Sequence, residues 1–274
     1  MSDPLALLGE SLRRDDHDRY VSSMFAAPDR RADLWVLYAF NLELAQIRPQ
    51  VREPLAGMIR LQWWRDVIAG TRAGEASRHP VAGPLVQLIG RCQLPLTEFQ
   101  RIIDARERDL DAIPFADRQA WVDYGRDSAG TLASLACRVL GAGCDAAPDL
   151  GAAWALTGLL RSVPFHVGQN WLTLPRDALQ AAGLDAETVL AAQADKARLV
   201  GVVKNLADET RQFMDRARRA KVDRRALPAL LPAVAARAYL ARIASLGGDV
   251  FDSRSFRPRP MPLRLAWASM MGRL

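Results

Sequence analysis

Apolar residues return at intervals of three and four through nearly every long segment of this chain, whereas runs of alternating β-branched residues bounded by turn signals are missing. The pattern predicts an all-α protein. Helices are expected near 32–47, 53–70, 81–92, 97–111, 118–140, 149–165, 196–220 and 226–246, with bounds good to about three residues. One start signal is explicit: Thr97 with Gln100 three residues on has the form of a capping box, in which side chains satisfy two backbone amides reciprocally. Behind it, Phe99, Ile102, Ile103 and Leu110 fall on one face and predict a buried stripe. Asp104, Arg106, Glu107 and Arg108 read as the solvated side, with local ion pairs worth a few tenths of a kcal/mol each. Gly141-Ala142-Gly143 ends the helix that starts near Trp121, and Asp145 to Pro148 forms the turn before the next. The helical spacing around Trp63 and Trp64 assigns them to core and groove packing.

Composition narrows the class. The chain has 274 residues, half of them hydrophobic and a quarter charged, enough to bury a large core; with no repeat and no low-complexity linker it reads as a single domain over 1–274. No run of about 18 uncharged apolar residues is present, and Met1-Ser2-Asp3-Pro4 leads into an Arg/Asp cluster rather than a signal-like segment, so a cytoplasmic location is expected. Cys92, Cys137 and Cys144 are odd in number and never spaced as Cys-x-x-Cys, which argues against a disulfide framework or a zinc site; all three read as buried, reduced small hydrophobes. The formal charge of +6 suits an acidic ligand, an anionic membrane surface or nucleic acid. Without zinc-finger spacing or an aromatic-studded strand pattern, nucleic acid is not an expected partner. The tail at about 252–274 interleaves Arg254, Arg257, Arg259, Arg264 and Arg273 with Phe256, Met261, Leu263, Leu265, Trp267, Met270 and Met271. Such a tail can lie on a membrane; the preferred reading is a final helix that packs Leu265 and Trp267 onto the body while its arginines stay wet.

Several segments carry a resemblance. Leu37-Tyr38-Ala39-Phe40-Asn41-Leu42-Glu43-Leu44-Ala45-Gln46-Ile47 resembles the first motif helix of the squalene/phytoene synthase family. The stretch from Leu156 to Pro164, followed by Asn170-Trp171-Leu172-Thr173-Leu174-Pro175-Arg176-Asp177, resembles the second. Leu61 to Arg65, Tyr124 to Gly130 and Ala226 to Pro232 agree in order, so the likeness runs from about Tyr20 to about Leu246. It implies an isoprenoid-synthase-like helical bundle around a central cavity. In that family, carboxylates three or four residues apart on two facing helices hold Mg²⁺ ions that neutralise a diphosphate leaving group, and an apolar cavity shields carbocations.

Here the first-motif aspartates fall at Ala45, Gln46 and Pro49, and the second-motif aspartates at Ser162 and His166; none supplies a carboxylate. The pairs Asp29/Asp33, Asp123/Asp127 and Asp145/Asp149 keep the spacing outside either motif. The first lies at a helix start after Pro28, the third straddles Pro148 in a loop, and the second brackets Arg126 on a helix. No catalytic or metal-ligating residue is therefore expected. Asn41, Glu43, Gln46, Arg161, Ser162 and His166 are the candidate cavity residues, with Glu43 expected to meet Arg161 across the cavity and the lone His166 read as structural.

Ala39 to Gln46, Asp104 to Asp111 and Arg161 to His166 are similar to the branch of the family formed by mitochondrial complex I assembly factors. That resemblance implies a non-catalytic role in NADH dehydrogenase assembly, with a subunit or assembly intermediate as partner, a lipid or prenyl group as cavity ligand, no cofactor, and peripheral contact with the inner face of the inner membrane. The alternative is a prenyl diphosphate transferase with substituted Mg²⁺ ligands, Glu43 with Asp123 or Asp127. A lipid carrier differs from the first reading only in what fills the cavity.

Overall fold

Proline opens many of the helices: Pro28, Pro54, Pro148, Pro164 and Pro262 each lie in a first turn, where the missing N–H would have had no helical partner and the fixed φ is already helical. Aspartate caps others. Asp117 accepts from the amide of Ala120 at 2.8 Å, Asp185 from that of Thr188 at 2.8 Å, and Asp195 from those of Ala197 and Arg198. The computed structural model describes residues 4–256, 261–272 and 274.

The long elements are Pro4–Asp15, Pro28–Gln50, Pro54–Ile68, Ala82–Cys92, Leu96–Glu107, Arg118–Gly125, Thr131–Val139, Ala147–Arg161, Lys196–Ala217, Pro232–Ser245 and Pro262–Met271. The helices expected from periodicity are all present. Short helices at His17–Ser23, Val163–Val167, Arg176–Ala181 and Ala186–Leu190 carry too few turns for periodicity to detect. Among the described residues the sole β pairing is an isolated bridge between Phe115 and Pro175.

Two local expectations are corrected. Pro95, at φ −66° and ψ 121°, caps the Leu96–Glu107 helix, so Thr97 already sits in the first turn and no capping box forms. Pro148 likewise begins a helix rather than a loop, which places Asp149 in the first turn of Ala147–Arg161.

Ala147–Arg161 is the central helix, packed by Arg118–Gly125, Thr131–Val139, Lys196–Ala217 and Pro232–Ser245. Its closest neighbour is a π-helical segment, Arg126–Gly130, that interrupts the single helix expected over 118–140. Small residues make that approach possible. A Cβ on Gly151 would lie 2.3 Å from the carbonyl oxygen of Ala129, and one on Gly130 would lie 2.4 Å from that of Pro148. The wider π turn shifts the register between the two flanking helices, and side chains bond its loosened carbonyls: Ser128 Oγ donates to Tyr124 O at 2.6 Å and Thr131 Oγ1 to Arg126 O at 3.1 Å.

The predicted stripe of Phe99, Ile102, Ile103 and Leu110 is buried, and Phe99 meets Phe40 edge to face at 5.5 Å. Trp64 is buried against Phe40, while Trp63 lies at the rim and donates to Glu75. Only Cys137 among the cysteines is fully buried; Cys92 and Cys144 are partly exposed, contrary to expectation, because both sit at helix ends beside an outer groove. Leu265 packs on the body, but Trp267 faces outward, which corrects the tail's expected packing. Arg257, Arg259 and Arg273 of that tail lie outside the described residues. No single described helix is long and apolar enough to cross a membrane; the bent pair Arg224–Leu230 and Pro232–Ser245 has the composition, but Leu230, Ala236 and Leu240 belong to the buried core.

Gly151→Val should destabilise the fold by roughly 3 kcal/mol or more, because the clash is with backbone that cannot rotate away. Urea unfolding followed by circular dichroism measures it; Gly158→Val, where a Cβ meets nothing within 4 Å, is the control expected to change stability little.

Candidate functional site

Three arginines converge inside the bundle. Arg19, Arg106 and Arg161 line a cavity of about 170 Å³ together with Tyr124, Trp154 and Tyr239. Arg106 lies three residues after Ile103 and four before Leu110, so it belongs to the buried stripe of its helix rather than to the solvated face expected for it. Asp104 and Glu107, by contrast, do face outward, where Arg65 pairs with both.

Each arginine finds its counter-charge within the chain. Arg106 donates to Tyr124 Oη at 2.9 Å, to Asp109 Oδ2 at 3.3 Å and to Asn41 Oδ1 at 3.4 Å, and Tyr124 donates to Asp109 at 3.1 Å. Burial pushes the Asp109 carboxyl above its ordinary range, while Arg106 and the Tyr124 hydrogen bond pull it back. Desolvation acts to lower Arg106 as well, but its neighbours Tyr124 and Asp109 outweigh it, and the guanidinium stays charged. Arg19 pairs with Asp16 at 2.7 Å and lies over the rings of Tyr38 and Trp154 at 5.8 and 5.7 Å. Arg161 stacks on Tyr239 with its Cζ 3.6 Å from the ring centroid, and the Tyr239 hydroxyl donates to Asp18 at 2.8 Å. Burial raises Asp18, opposed by that hydrogen bond and by the charge of Arg161. The Nε atoms of Arg106 and Arg161 are buried without a hydrogen-bond partner. Its volume suits about six water molecules at ~30 Å³ each and lies below the several hundred Å³ usual for a ligand pocket.

Of the six residues singled out from sequence, Arg161 lines this cavity and Asn41 stands behind Arg106. Glu43, Gln46, Ser162 and His166 do not line it. Glu43 does not meet Arg161; the stack on Tyr239, beside Asp18, takes that place. Gln46 accepts from Gln50 at 3.2 Å, and Ser162 caps the Ala147–Arg161 helix. His166 packs against Trp171 at 4.2 Å with its Nδ1 3.2 Å from Thr173 Oγ1. Asp18 and the two tyrosines escaped the sequence reading because their partners come from other helices, whereas Asp16 and Asp109 stand three residues from Arg19 and Arg106 and escaped because local spacing does not show that the pairs are buried.

The pairs with Asp-x-x-x-Asp spacing are engaged elsewhere. Asp33 pairs with Arg91, Asp149 with Arg126, Asp123 accepts from Gln119, and Asp127 lies 3.9 Å from Arg101. Asp123 and Asp127 line an outer groove of about 710 Å³ that does not include Glu43. Among the described residues no group of three or more His, Cys, Asp or Glu side chains is placed to hold a metal ion.

An all-helical bundle built around a central helix, with polar residues from facing helices meeting in its interior, has the architecture of the isoprenoid synthases. The family model for squalene/phytoene synthase matches residues 12–264, and the chain belongs to that family. It is similar to "NADH dehydrogenase (ubiquinone) complex I, assembly factor 6" of Mus musculus, with 29% identity over 248 residues, covering 88% of this chain and 74% of that one. In structure it is similar to the squalene synthase HpnC from Alicyclobacillus acidocaldarius, at a TM-score of 0.76 and 22% identity over 89% of this chain and 94% of that one. A dehydrosqualene synthase superposes with a TM-score of 0.80 at 16% identity, over 98% and 96% of the two chains.

Magnesium ions do not fit the residues at the positions that the sequence resemblance assigns to the family's two metal motifs. Hard divalent ions take oxygen ligands, chiefly carboxylates, and Ala45, Gln46, Pro49, Ser162 and His166 provide none. At the same corner Arg48 lies 6.0 Å from the Trp171 ring, so a cation of the chain's own occupies the neighbourhood of His166 and Trp171.

Burial lowers the His166 pKa from 6.5 to about 4. A depressed base favours the neutral form in the fold, so its contribution is intact above pH 6.5 and is lost as pH falls through 6.5 toward 4. The loss is at most roughly 3 kcal/mol. Denaturant midpoints measured across that window should fall with pH in the native protein and fall less in His166→Gln.

Proposed function

We propose that this chain is a non-catalytic member of its family that assists NADH dehydrogenase assembly, binding a subunit or an early assembly intermediate. The observation that carries the reading is the internal neutralisation of the cavity: Asp16, Asp18 and Asp109 accompany Arg19, Arg161 and Arg106, and the motif positions bring no carboxylate to hold metal-bound diphosphate. Similarity over most of the chain to a protein named as a complex I assembly factor supports the same conclusion. The cavity, lined by three arginines, takes water or the polar end of a small lipid in this reading.

A second reading, a prenyl diphosphate transferase with substituted ligands, draws on the guanidinium groups of Arg19, Arg106 and Arg161 along the cavity, a residue type that suits phosphate oxygens. It requires Glu43 to act with Asp123 or Asp127, and these line an outer groove in which Glu43 takes no part.

Deleting the gene should lower assembled NADH dehydrogenase and its membrane activity severalfold and leave squalene-type and carotenoid products unchanged, read by native gel electrophoresis and lipid extraction. Intact NADH dehydrogenase with loss of an isoprenoid would reverse the assignment.

The reading also puts the protein on the cytoplasmic surface of the inner membrane, through its C-terminal helix. Leu265 and Ala268 hold Pro262–Met271 to the body, while Leu263 (85% exposed), Trp267 (57%), Met270 (66%) and Met271 (46%) share the free side at spacings of four, three and one. From Ser253 onward the sequence holds five arginines and no acid. An anionic bilayer offers each basic side chain about 1 kcal/mol near its surface and a seat for the apolar stripe. The protein should co-sediment with phosphatidylglycerol vesicles at low salt, and Leu263→Asp with Trp267→Asp should abolish this; equal binding to neutral vesicles, or no effect of the double variant, contradicts it.

A further inference from the structure

The helix Lys196–Ala217 runs out into a basic elbow. Residues 216–225 hold Arg216, Arg218, Arg219, Lys221, Arg224 and Arg225 against a single acid, Asp223. Two of these cations have counter-charges: Arg218 pairs with Asp215 at 3.4 Å and Arg225 with Asp223 at 2.7 Å. Arg216, Arg219 and Lys221 are exposed and, among the described residues, form no ion pair.

Arg224 reaches the C-terminal helix. Its guanidinium donates at 2.6 Å to Met270 O, which is among the last carbonyls of Pro262–Met271 and lies beyond the reach of any amide of that helix. A cation at this end also complements the helix dipole. Gly272, at φ +64°, turns the chain out of the helix beside the same side chain, since a Cβ built on it would lie 3.9 Å from Arg224 Nε. Both elements share a support. Pro232–Ser245 holds the C-terminal helix on Ala235, Ala238 and Tyr239, packs along Lys196–Ala217, and sends Arg237 to Asp215 at 3.6 Å. The elbow is thus fixed beside the end of the helix that exposes Leu263, Trp267, Met270 and Met271, although Arg224 and Met270 stand 46 residues apart in sequence.

We propose that the elbow is the headgroup-binding half of a membrane-docking face: Arg216, Arg219 and Lys221 take lipid phosphates of an anionic bilayer while the apolar stripe of the C-terminal helix enters its surface. This rests on the membrane placement proposed above and adds to it a site from a different part of the chain. Charge complementarity identifies the occupant. Cations without acids of their own are drawn to a surface dense in phosphate, and their long stems let the charged ends stay at headgroup level while the apolar side chains sit deeper. Nucleic acid offers the phosphates but no acyl layer for Leu263 and Trp267. Arg224, already engaged by Met270 O, is a positioning residue that ties the stripe to the elbow.

Co-sedimentation of the full chain with mixed phosphatidylglycerol–phosphatidylcholine vesicles over a salt series tests the site, with native protein compared against Arg216→Gln/Arg219→Gln/Lys221→Gln. At low salt the triple variant should bind roughly a hundredfold more weakly, each cation contributing about fivefold. Native binding should also fall more steeply with salt than that of the variant. The altered side chains are exposed and make no ion pair, so the variant should keep its helical circular dichroism; Arg216→Lys/Arg219→Lys, which conserves charge, should bind as the native protein does. Native protein on the vesicles with the triple variant bound equally well overturns the elbow site and leaves the membrane placement standing. Native protein that ignores anionic vesicles overturns both. Tighter binding to a short single-stranded RNA than to the vesicles, lost in the same triple variant, overturns the proposal by reassigning the elbow to nucleic acid.

Discussion

A guanidinium taken out of water must be met by charge or hydrogen bonds, and this bundle buries parts of three of them around one cavity. The compensation is supplied from inside: Asp109 and Tyr124 for Arg106, Asp16 for Arg19, and the face of Tyr239 with Asp18 behind it for Arg161. Each partner comes from a stated place in the fold. The π segment follows the helix bearing Tyr124, the 3₁₀ turn after Leu96–Glu107 carries Asp109, and the short His17–Ser23 helix carries Asp18 and Arg19. Losing one member would leave a buried charge unmatched, at a typical cost of about 3–5 kcal/mol, so the network holds these elements in register as well as occupying the interior.

The same arrangement separates fold from chemistry. Squalene and dehydrosqualene synthases share this architecture closely, yet architecture supplies only helices facing one another across an interior. What a prenyl diphosphate reaction adds is a concentration of carboxylates, and the positions that the sequence resemblance assigns to them carry Ala45, Gln46, Pro49, Ser162 and His166, with Arg48 beside Trp171. A cavity balanced by its own acids and small enough for a few waters acts more readily as a structural core than as a reaction vessel. The C-terminal stripe and the outer grooves remain exposed on its outer surface.

Periodicity made the long helices legible, and motif order made the family legible, because both are local properties of the chain. The start of Leu96–Glu107 was misread since Pro95 competes with Thr97 for the capping position and its fixed φ wins. Arg106 was placed on the wet face by its charge, although its position between Ile103 and Leu110 put it on the buried stripe; the rule that charge faces water gave way to a Tyr–Asp partnership. The Arg161–Tyr239–Asp18 arrangement joins positions 221 residues apart in its hydrogen bond alone, a relation that no spacing rule contains. Glu43 was expected at Arg161 by analogy with facing motif helices, and an aromatic face holds the arginine instead.

On the proposed reading, this interior does not perform metal-dependent prenyl diphosphate chemistry. Isothermal calorimetry of the purified protein with farnesyl and geranylgeranyl diphosphate, with and without Mg²⁺, followed by assay of released diphosphate, tests it directly. The account predicts no magnesium-dependent heat of binding and no release; saturable, magnesium-dependent binding with turnover would contradict it.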